Sequence, residues 1–167
     1  MDTMKSLCDI TIFGGHGDLA FRKLMPALYH LSNSGYLDEK SRIITATRVP
    51  MSNDEHCDLV KSKLKEFLSD DAFEEEKFEY FRAQLHVVTI EFDILESYTG
   101  LKKLLDSYPE RERVNYLSTA PDFFGTICMS MSKLELVTPQ SRVVLEKPIG
   151  RDLQSSRVIN VEVLKYF

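Results

Sequence analysis

A chain of 167 residues with 43% hydrophobic and 28% charged side chains is long enough to bury a core and has the composition of one globular domain, which excludes disordered, fibrous and multidomain readings. Its formal net charge of −5 argues against a nucleic-acid partner. Cys8, Cys57 and Cys128 are odd in number and far apart, so neither a disulfide framework nor a zinc site is expected. No apolar run reaches the ~18 residues a membrane span needs, and Asp2, Lys5 and Asp9 interrupt the N-terminus unlike a signal peptide, so a soluble cytoplasmic protein is expected.

In chain order, the apolar, β-branched run from Cys8 to Phe13 leads directly into Gly14-Gly15-His16-Gly17-Asp18-Leu19-Ala20 and then into a helical pattern. Gly14, Gly17 and Ala20 stand at the spacing G-x-x-G-x-x-A. Glycine permits a tight turn and close approach to a pyrophosphate, and a small third residue lets helix and strand pack closely. Backbone N–H groups at the new helix terminus would meet the ligand's negative charge. Taken alone, the same residues also fit a glycine-rich turn with no ligand. Phe21, Leu24, Met25, Leu28 and Leu31 recur at helical spacing. Pro26 predicts a break, with a short segment over 18–25 and a restart, which would hold Lys23 near the phosphate end. Gly35 is expected to stop the helix.

Arg42 to Thr47 reads as a second strand with Arg48 at its tip. In a βαβ dinucleotide unit that position faces the adenine ribose, where an acidic residue accepts the 2′-hydroxyl of NAD and an arginine accommodates the 2′-phosphate of NADP. Arg48 therefore favours NADP, with NAD held more weakly. Ser52 and Glu55 have the spacing of a capping box, opening a helix that turns Leu59, Val60, Leu64, Phe67 and Leu68 inward. The acidic run from Asp70 to Glu76 reads as a solvated helix end or connector rather than a metal site.

Leu85 to Ile90 is a third strand, in which His86 is expected to have no chemical role, and a helix follows from about Leu95 to Asp106. Val114 to Ser118 is a fourth strand, closed by Ala120-Pro121. Asp122 is expected to cap a helix whose stripe of Phe123, Phe124, Ile127, Cys128, Met131 and Leu134 is assigned to the core. Arg142 to Leu145 is a fifth strand ending in Glu146-Lys147-Pro148, and a last helix runs from Asp152. This alternation predicts an α/β fold: a Rossmann-type, doubly wound parallel sheet in a single domain, with ligands outside the carboxyl ends of the strands. Gly14 to Gly17, Arg48, Tyr116 to Pro121 and Glu146 to Pro148 all fall at those ends.

These residues resemble the N-terminal coenzyme-binding domain of the glucose-6-phosphate dehydrogenase family. The resemblance runs through Phe-Gly-Gly-His-Gly-Asp-Leu-Ala-Phe-Arg-Lys-Leu-Met-Pro-Ala-Leu-Tyr (13–29), Ala-Thr-Arg (46–48), Tyr-Leu-Ser-Thr-Ala-Pro (116–121), Phe-Phe-Gly (123–125) and Glu-Lys-Pro-Ile-Gly-Arg-Asp-Leu (146–153). It implies oxidation of glucose 6-phosphate to 6-phosphoglucono-δ-lactone with reduction of NADP, at the entry to the pentose phosphate pathway. It also implies a cofactor site made of Gly14, Gly15, His16, Gly17, Asp18 and Leu19 around the phosphates, Arg48 on the 2′-phosphate, Tyr116 and Pro121 at the nicotinamide side, and Glu146 with Lys147. Lys147 and Lys23 would touch the sugar phosphate, a role suited to a lysine's compact charge and rotatable donors.

Three departures qualify the resemblance. His16 stands where the family usually has a serine or threonine, and Phe21 where lysine is common. The sugar-phosphate signature Arg-Ile-Asp-His-Tyr-Leu-Gly-Lys-Glu and the β+α domain with the catalytic histidine–aspartate pair are missing from these residues. None of His16, His30, His56 or His86 occupies a matching position. Residues 1–167 are accordingly expected to be an NAD(P)-binding domain without its C-terminal catalytic domain, holding glucose 6-phosphate only when that domain is supplied. A non-catalytic module that binds a dinucleotide or a protein partner is the alternative.

Overall fold

The computed structural model of the protein describes residue 5 and residues 7–167. Asp2, part of the argument against a signal peptide, lies outside the described residues. Five parallel strands, β1 (Cys8–Phe13), β2 (Arg42–Thr47), β3 (Leu85–Thr89), β4 (Glu112–Leu117) and β5 (Ser141–Leu145), lie in the order β3-β2-β1-β4-β5. The chain winds outward from β1 in one direction through β2 and β3, then returns and winds the other way through β4 and β5. The reversal falls between β1 and β4, and there the crevice for a ligand opens in such sheets.

Residue alternation divides the apolar side chains between the two faces. Ile12 and Ile43 point to one layer, where Met25 and Tyr29 from α1 (Met25–Asn33), Val60 and Leu64 from α2 (Asn53–Phe67), and Phe78 and Phe81 from α3 (Glu75–Arg82) cover them. Phe13 and Ile44 point to the other, packed against Leu101 and Leu105 of α4 (Thr99–Asp106), Ile127 and Met131 of α5 (Phe124–Lys133) and Val163 of α6 (Leu153–Leu164). The Ser52–Glu55 capping box forms in both directions, with Glu55 N–H donating to Ser52 Oγ over 3.2 Å and Ser52 N–H to Glu55 Oε2 over 2.7 Å.

Two expectations are corrected, and one helix is added. Pro26 does not break the helix: residues 20–24 form a π turn, in which Met25 N–H donates to the Ala20 carbonyl, and α1 follows with Pro26 in its first turn. There the proline's missing N–H costs nothing, and the wider turn upstream makes room for its ring. The acidic stretch is a connector and helix end, as expected, but the helix it opens, α3, was not foreseen; its first turn carries Glu75 and Glu76 where the helix dipole favours negative charge. Asp122 caps nothing; it lies exposed within a 3-10 turn, Pro121–Phe123, ahead of α5.

At the opposite end of the sheet from the strands' carboxyl tips, Asp9 is fully buried and accepts from Arg42 Nε (2.8 Å), Arg42 Nη2 (2.5 Å) and Arg111 Nη1 (3.2 Å). The Tyr108 ring lies against both guanidiniums, 4.9 Å from Arg42 and 3.8 Å from Arg111. Arg42 also donates to the Leu104 carbonyl and Arg113 to that of Leu105, so the cluster ties β1, β2 and β4 to the carboxyl end of α4.

Candidate functional site

Beyond β1 the chain must turn sharply to enter the helix, and Gly14 makes that turn with φ +76°, a conformation L side chains rarely adopt. The N–H groups of Gly14 and Gly15 both donate to the Ala46 carbonyl, over 3.2 and 3.4 Å, which fastens the turn to β2. Gly17 N–H closes the loop on the Gly14 carbonyl at 3.0 Å. A Cβ on Gly14 would come within 2.4 Å of the Ser118 carbonyl oxygen, so the turn is wedged between the ends of β2 and β4.

A cavity of about 300 Å³ lies over this turn. Gly14, His16 and Gly17 form one wall, Ala46 to Val49 at the end of β2 another, and Ser118 to Ala120 beyond β4 the third, with Phe92 and Phe123 completing it. The Arg48 guanidinium stands 5.5 Å from the centroids of both Phe92 and Phe123, whose rings meet edge to face at 5.3 Å. Arg48 is exposed, and among the described residues no carboxylate pairs with it. The aromatic pair holds the side chain in place while its charge stays available to an anion.

His16 reaches behind the turn. Its Nε2 lies 3.3 Å from Nδ1 of His56 on α2, with the two rings 20° from coplanar. His56 is fully buried, and burial, reinforced by His16 and His86, lowers its pKa to about 4. Burial also lowers that of His16. Phe21 is buried with its ring 5.4 Å from the His16 ring.

The structure therefore brings Gly14, His16, Gly17 and Arg48 to one cavity. Gly15 is buried beneath the turn, where a Cβ would meet Thr45 Cγ2 at 2.5 Å. Asp18 turns outward to Arg22 in an exposed pair at 3.2 Å, which lowers its carboxyl below the usual range, and Leu19 is half-buried outside the cavity lining. Lys23 is exposed on the π turn, and Pro121 opens the 3-10 turn beside Ala120. Tyr116 O–H donates to Glu146 Oε2, and burial together with that carboxylate pushes the phenol up to about 12. Lys147, joined to Pro148 by a cis peptide bond, lines a separate depression of about 500 Å³ with Ile149 and Ser156. Ser118 and Thr119 belong to the segment Tyr116 to Pro121 expected at the strand ends, whereas Phe92 and His56 carried no expected role at the site and Phe123 was assigned to the core. Phe92 and Phe123 each follow a strand's carboxyl end, which is the one local signal that marks them.

A larger groove of about 710 Å³ lies near the strands' amino ends, lined by Lys5, Lys40 and Lys77 but also by Asp38, Glu39 and Glu79. Its mixed charges give an anion no net advantage. Among the described residues no group of three or more His, Cys, Asp or Glu is placed to hold a metal, and no helix is long and apolar enough to cross a membrane.

The family described as "Glucose-6-phosphate dehydrogenase, NAD binding domain" matches residues 11–167. Among curated relatives, the glucose-6-phosphate 1-dehydrogenase of Rhizobium meliloti is 40% identical over 95% of this chain and 32% of its own length. That of Gluconobacter oxydans is 39% identical over 95% of this chain and 33% of its own. The chain thus spans about one third of the length of these relatives. Among solved structures, a glucose-6-phosphate dehydrogenase in complex with glucose 6-phosphate superposes with a TM-score of 0.83 at 30% identity, covering 100% of this chain and 36% of that one. The enzyme from Mycobacterium avium superposes with a TM-score of 0.85 at 25% identity, over 96% of this chain and 34% of that one. A doubly wound five-stranded sheet with a glycine turn at its switch point and matching residues along almost the whole chain leads to one conclusion: the protein belongs to the glucose-6-phosphate dehydrogenase NAD-binding-domain family.

Proposed function

We propose that this chain binds NADP(H), and NAD less tightly, as the coenzyme-binding part of a glucose-6-phosphate dehydrogenase. The observation that carries this reading is the presence of Arg48, uncompensated by any carboxylate among the described residues, on the rim of the same cavity as Gly14 and Gly17. A cavity of about 300 Å³ suits the adenosine and phosphate half of a dinucleotide. The pyrophosphate would approach Gly14 and Gly17, where no side chain keeps it at a distance, and the first N–H groups of the following helix lack intrahelical acceptors. Arg48 would take the 2′-phosphate as a charge-assisted pair. The nicotinamide half would extend past Pro121 toward Tyr116, Glu146 and Lys147.

The bound nicotinamide would accept a hydride from C1 of glucose 6-phosphate. For this chain's own residues the chemistry is positioning: Lys147 and Lys23 present charges to the sugar phosphate, and the Tyr116–Glu146 bond fixes the strand end from which Lys147 projects. Taking the proton from the C1 hydroxyl requires a base beside the sugar. His56 is buried behind the phosphate turn, His16 sits on it, His30 lies exposed on α1 and His86 lies within β3, so none of the four histidines, all among the described residues, stands beside the sugar in this reading. We infer that oxidation of the sugar, its place in the pentose phosphate pathway and cytoplasmic residence belong to the assembly of this domain with a substrate domain.

Calorimetric titration of the wild-type chain and Arg48→Ala with NADP and NAD tests the reading. A charge-assisted contact worth about 1.5–3 kcal/mol makes NADP roughly ten- to a hundred-fold tighter than NAD for the wild type. Arg48→Ala is expected to bring that ratio close to one while changing NAD affinity little. An unchanged ratio contradicts the assignment.

A further inference from the structure

The pair formed by His16 and His56 is built unlike a structural histidine contact. The ring nitrogens approach to 3.3 Å, while the ring centroids stand 5.4 Å apart at 20° between planes. That separation is too wide for face-to-face stacking and suits two rings meeting edge to edge through a shared proton. His16 lines the cavity, whereas His56 is fully buried behind it, and His56 Nε2 has no partner among the described residues. One nitrogen of a deeply buried side chain is thus given to His16 and its other is left unsatisfied, a cost the fold bears at a phosphate turn.

The groups around the pair decide its charge. His16 from the glycine turn and His86 from β3 act on His56, both against its protonation. The π turn contributes the Phe21 ring beside His16, with Arg22 and Lys23 exposed on the same turn, and Arg48 lines the same cavity. None of these is an acid. The acids nearest in sequence are engaged elsewhere, Asp18 with Arg22 on the exposed side of the turn and Glu55 in the capping box with Ser52, so an anion arriving at the turn would bring the pair a negative charge that neither of them supplies.

We propose that His16 and His56 form a proton-loading element behind the phosphate turn: the pair is neutral in the empty site, and pyrophosphate binding draws one proton from solution onto His16. His56 Nδ1 then accepts from His16 Nε2–H, leaving His16 Nδ1–H to donate to the anion. His56 is a positioning residue, acting through His16. The element rests on the cofactor reading above, and it makes dinucleotide affinity rise as pH falls. The sign follows from linkage. The empty-site proton affinity of His16 is depressed and the occupied-site affinity is raised, so protons are taken up on binding between those two values.

The test is calorimetric titration of the full chain with NAD at about pH 8, 7 and 6, in two buffers of different ionisation enthalpy. NAD is the probe because a phosphate monoester such as the 2′-phosphate of NADP itself titrates near pH ~6. The wild type should take up about half a proton near neutral pH and tighten about five- to tenfold between pH 8 and 6, within the limit of about tenfold per pH unit for one proton. His16→Ser should bind NAD with no proton uptake and a flat pH profile. His56→Asn, which keeps an acceptor in the place of Nδ1, should retain most of the uptake, and His56→Phe should lose it. NAD binding to the wild type without proton uptake, or equal uptake by His16→Ser, overturns the proton-loading element alone. Absence of binding by both NADP and NAD overturns the cofactor reading and this element with it.

Discussion

Asp9→Ala is expected to lower the unfolding free energy by about 3–5 kcal/mol, the cost of removing one partner from a buried ion cluster. Asp9 is 0% exposed and carries three hydrogen bonds from Arg42 and Arg111, themselves 8% and 6% exposed. Without the carboxylate, two guanidiniums remain close together in a poorly hydrated space, both against the Tyr108 ring. Their remaining acceptors are the Leu104 and Lys40 carbonyls and the Ser107 hydroxyl, which carry no net charge. Denaturation by urea at neutral pH reads the loss directly. A change below about 1 kcal/mol would mean that water or backbone rearrangement already neutralises the cluster, contrary to the packing described.

Gly14→Ala is expected to be the second most damaging change, at about 2–5 kcal/mol of stability together with loss of dinucleotide binding. Two costs combine. Placing an L residue at φ +76° costs about 1–2 kcal/mol. A Cβ 2.4 Å from the Ser118 carbonyl oxygen must push β1 and β4 apart, and overpacking of that kind costs about 1–3 kcal/mol. Both strand ends are walls of the proposed cofactor cavity, so the strain falls where the ligand would sit. Gly17→Ala separates steric access from fold strain, because a Cβ there meets only the Gly14 carbonyl oxygen, at 3.3 Å. That variant should fold with near wild-type stability and bind NADP more weakly. Thermal unfolding and NADP titration of the two variants, side by side, check both statements.

The sheet was legible because each strand is a short β-branched or apolar run and each helix carries a periodic stripe. The limits of β2 match the sequence reading, and those of β1, β3, β4 and β5 fall within about two residues of it. The π turn was not legible, since Pro26 signals a break and the compensating turn lies upstream of it. Helix α3 was hidden by its acidic neighbours, and only the burial of Phe78 and Phe81 reveals why eight residues stay helical there. At the candidate site, the glycine turn and Arg48 could be located from local spacing, because each stands at the end of a strand. What escaped were side chains that meet across long separations. His16 and His56 lie 40 positions apart, and Arg48 finds Phe92 and Phe123 from two other crossovers. Such meetings depend on strand order, which local periodicity does not carry.

A crystal structure of the chain grown with NADP addresses the central proposal most directly. The 2′-phosphate is expected within hydrogen-bonding distance of the Arg48 guanidinium, with the pyrophosphate against Gly14 and Gly17. Cofactor density in the groove beside Lys5, Lys40 and Lys77, or a 2′-phosphate turned away from Arg48, would contradict it.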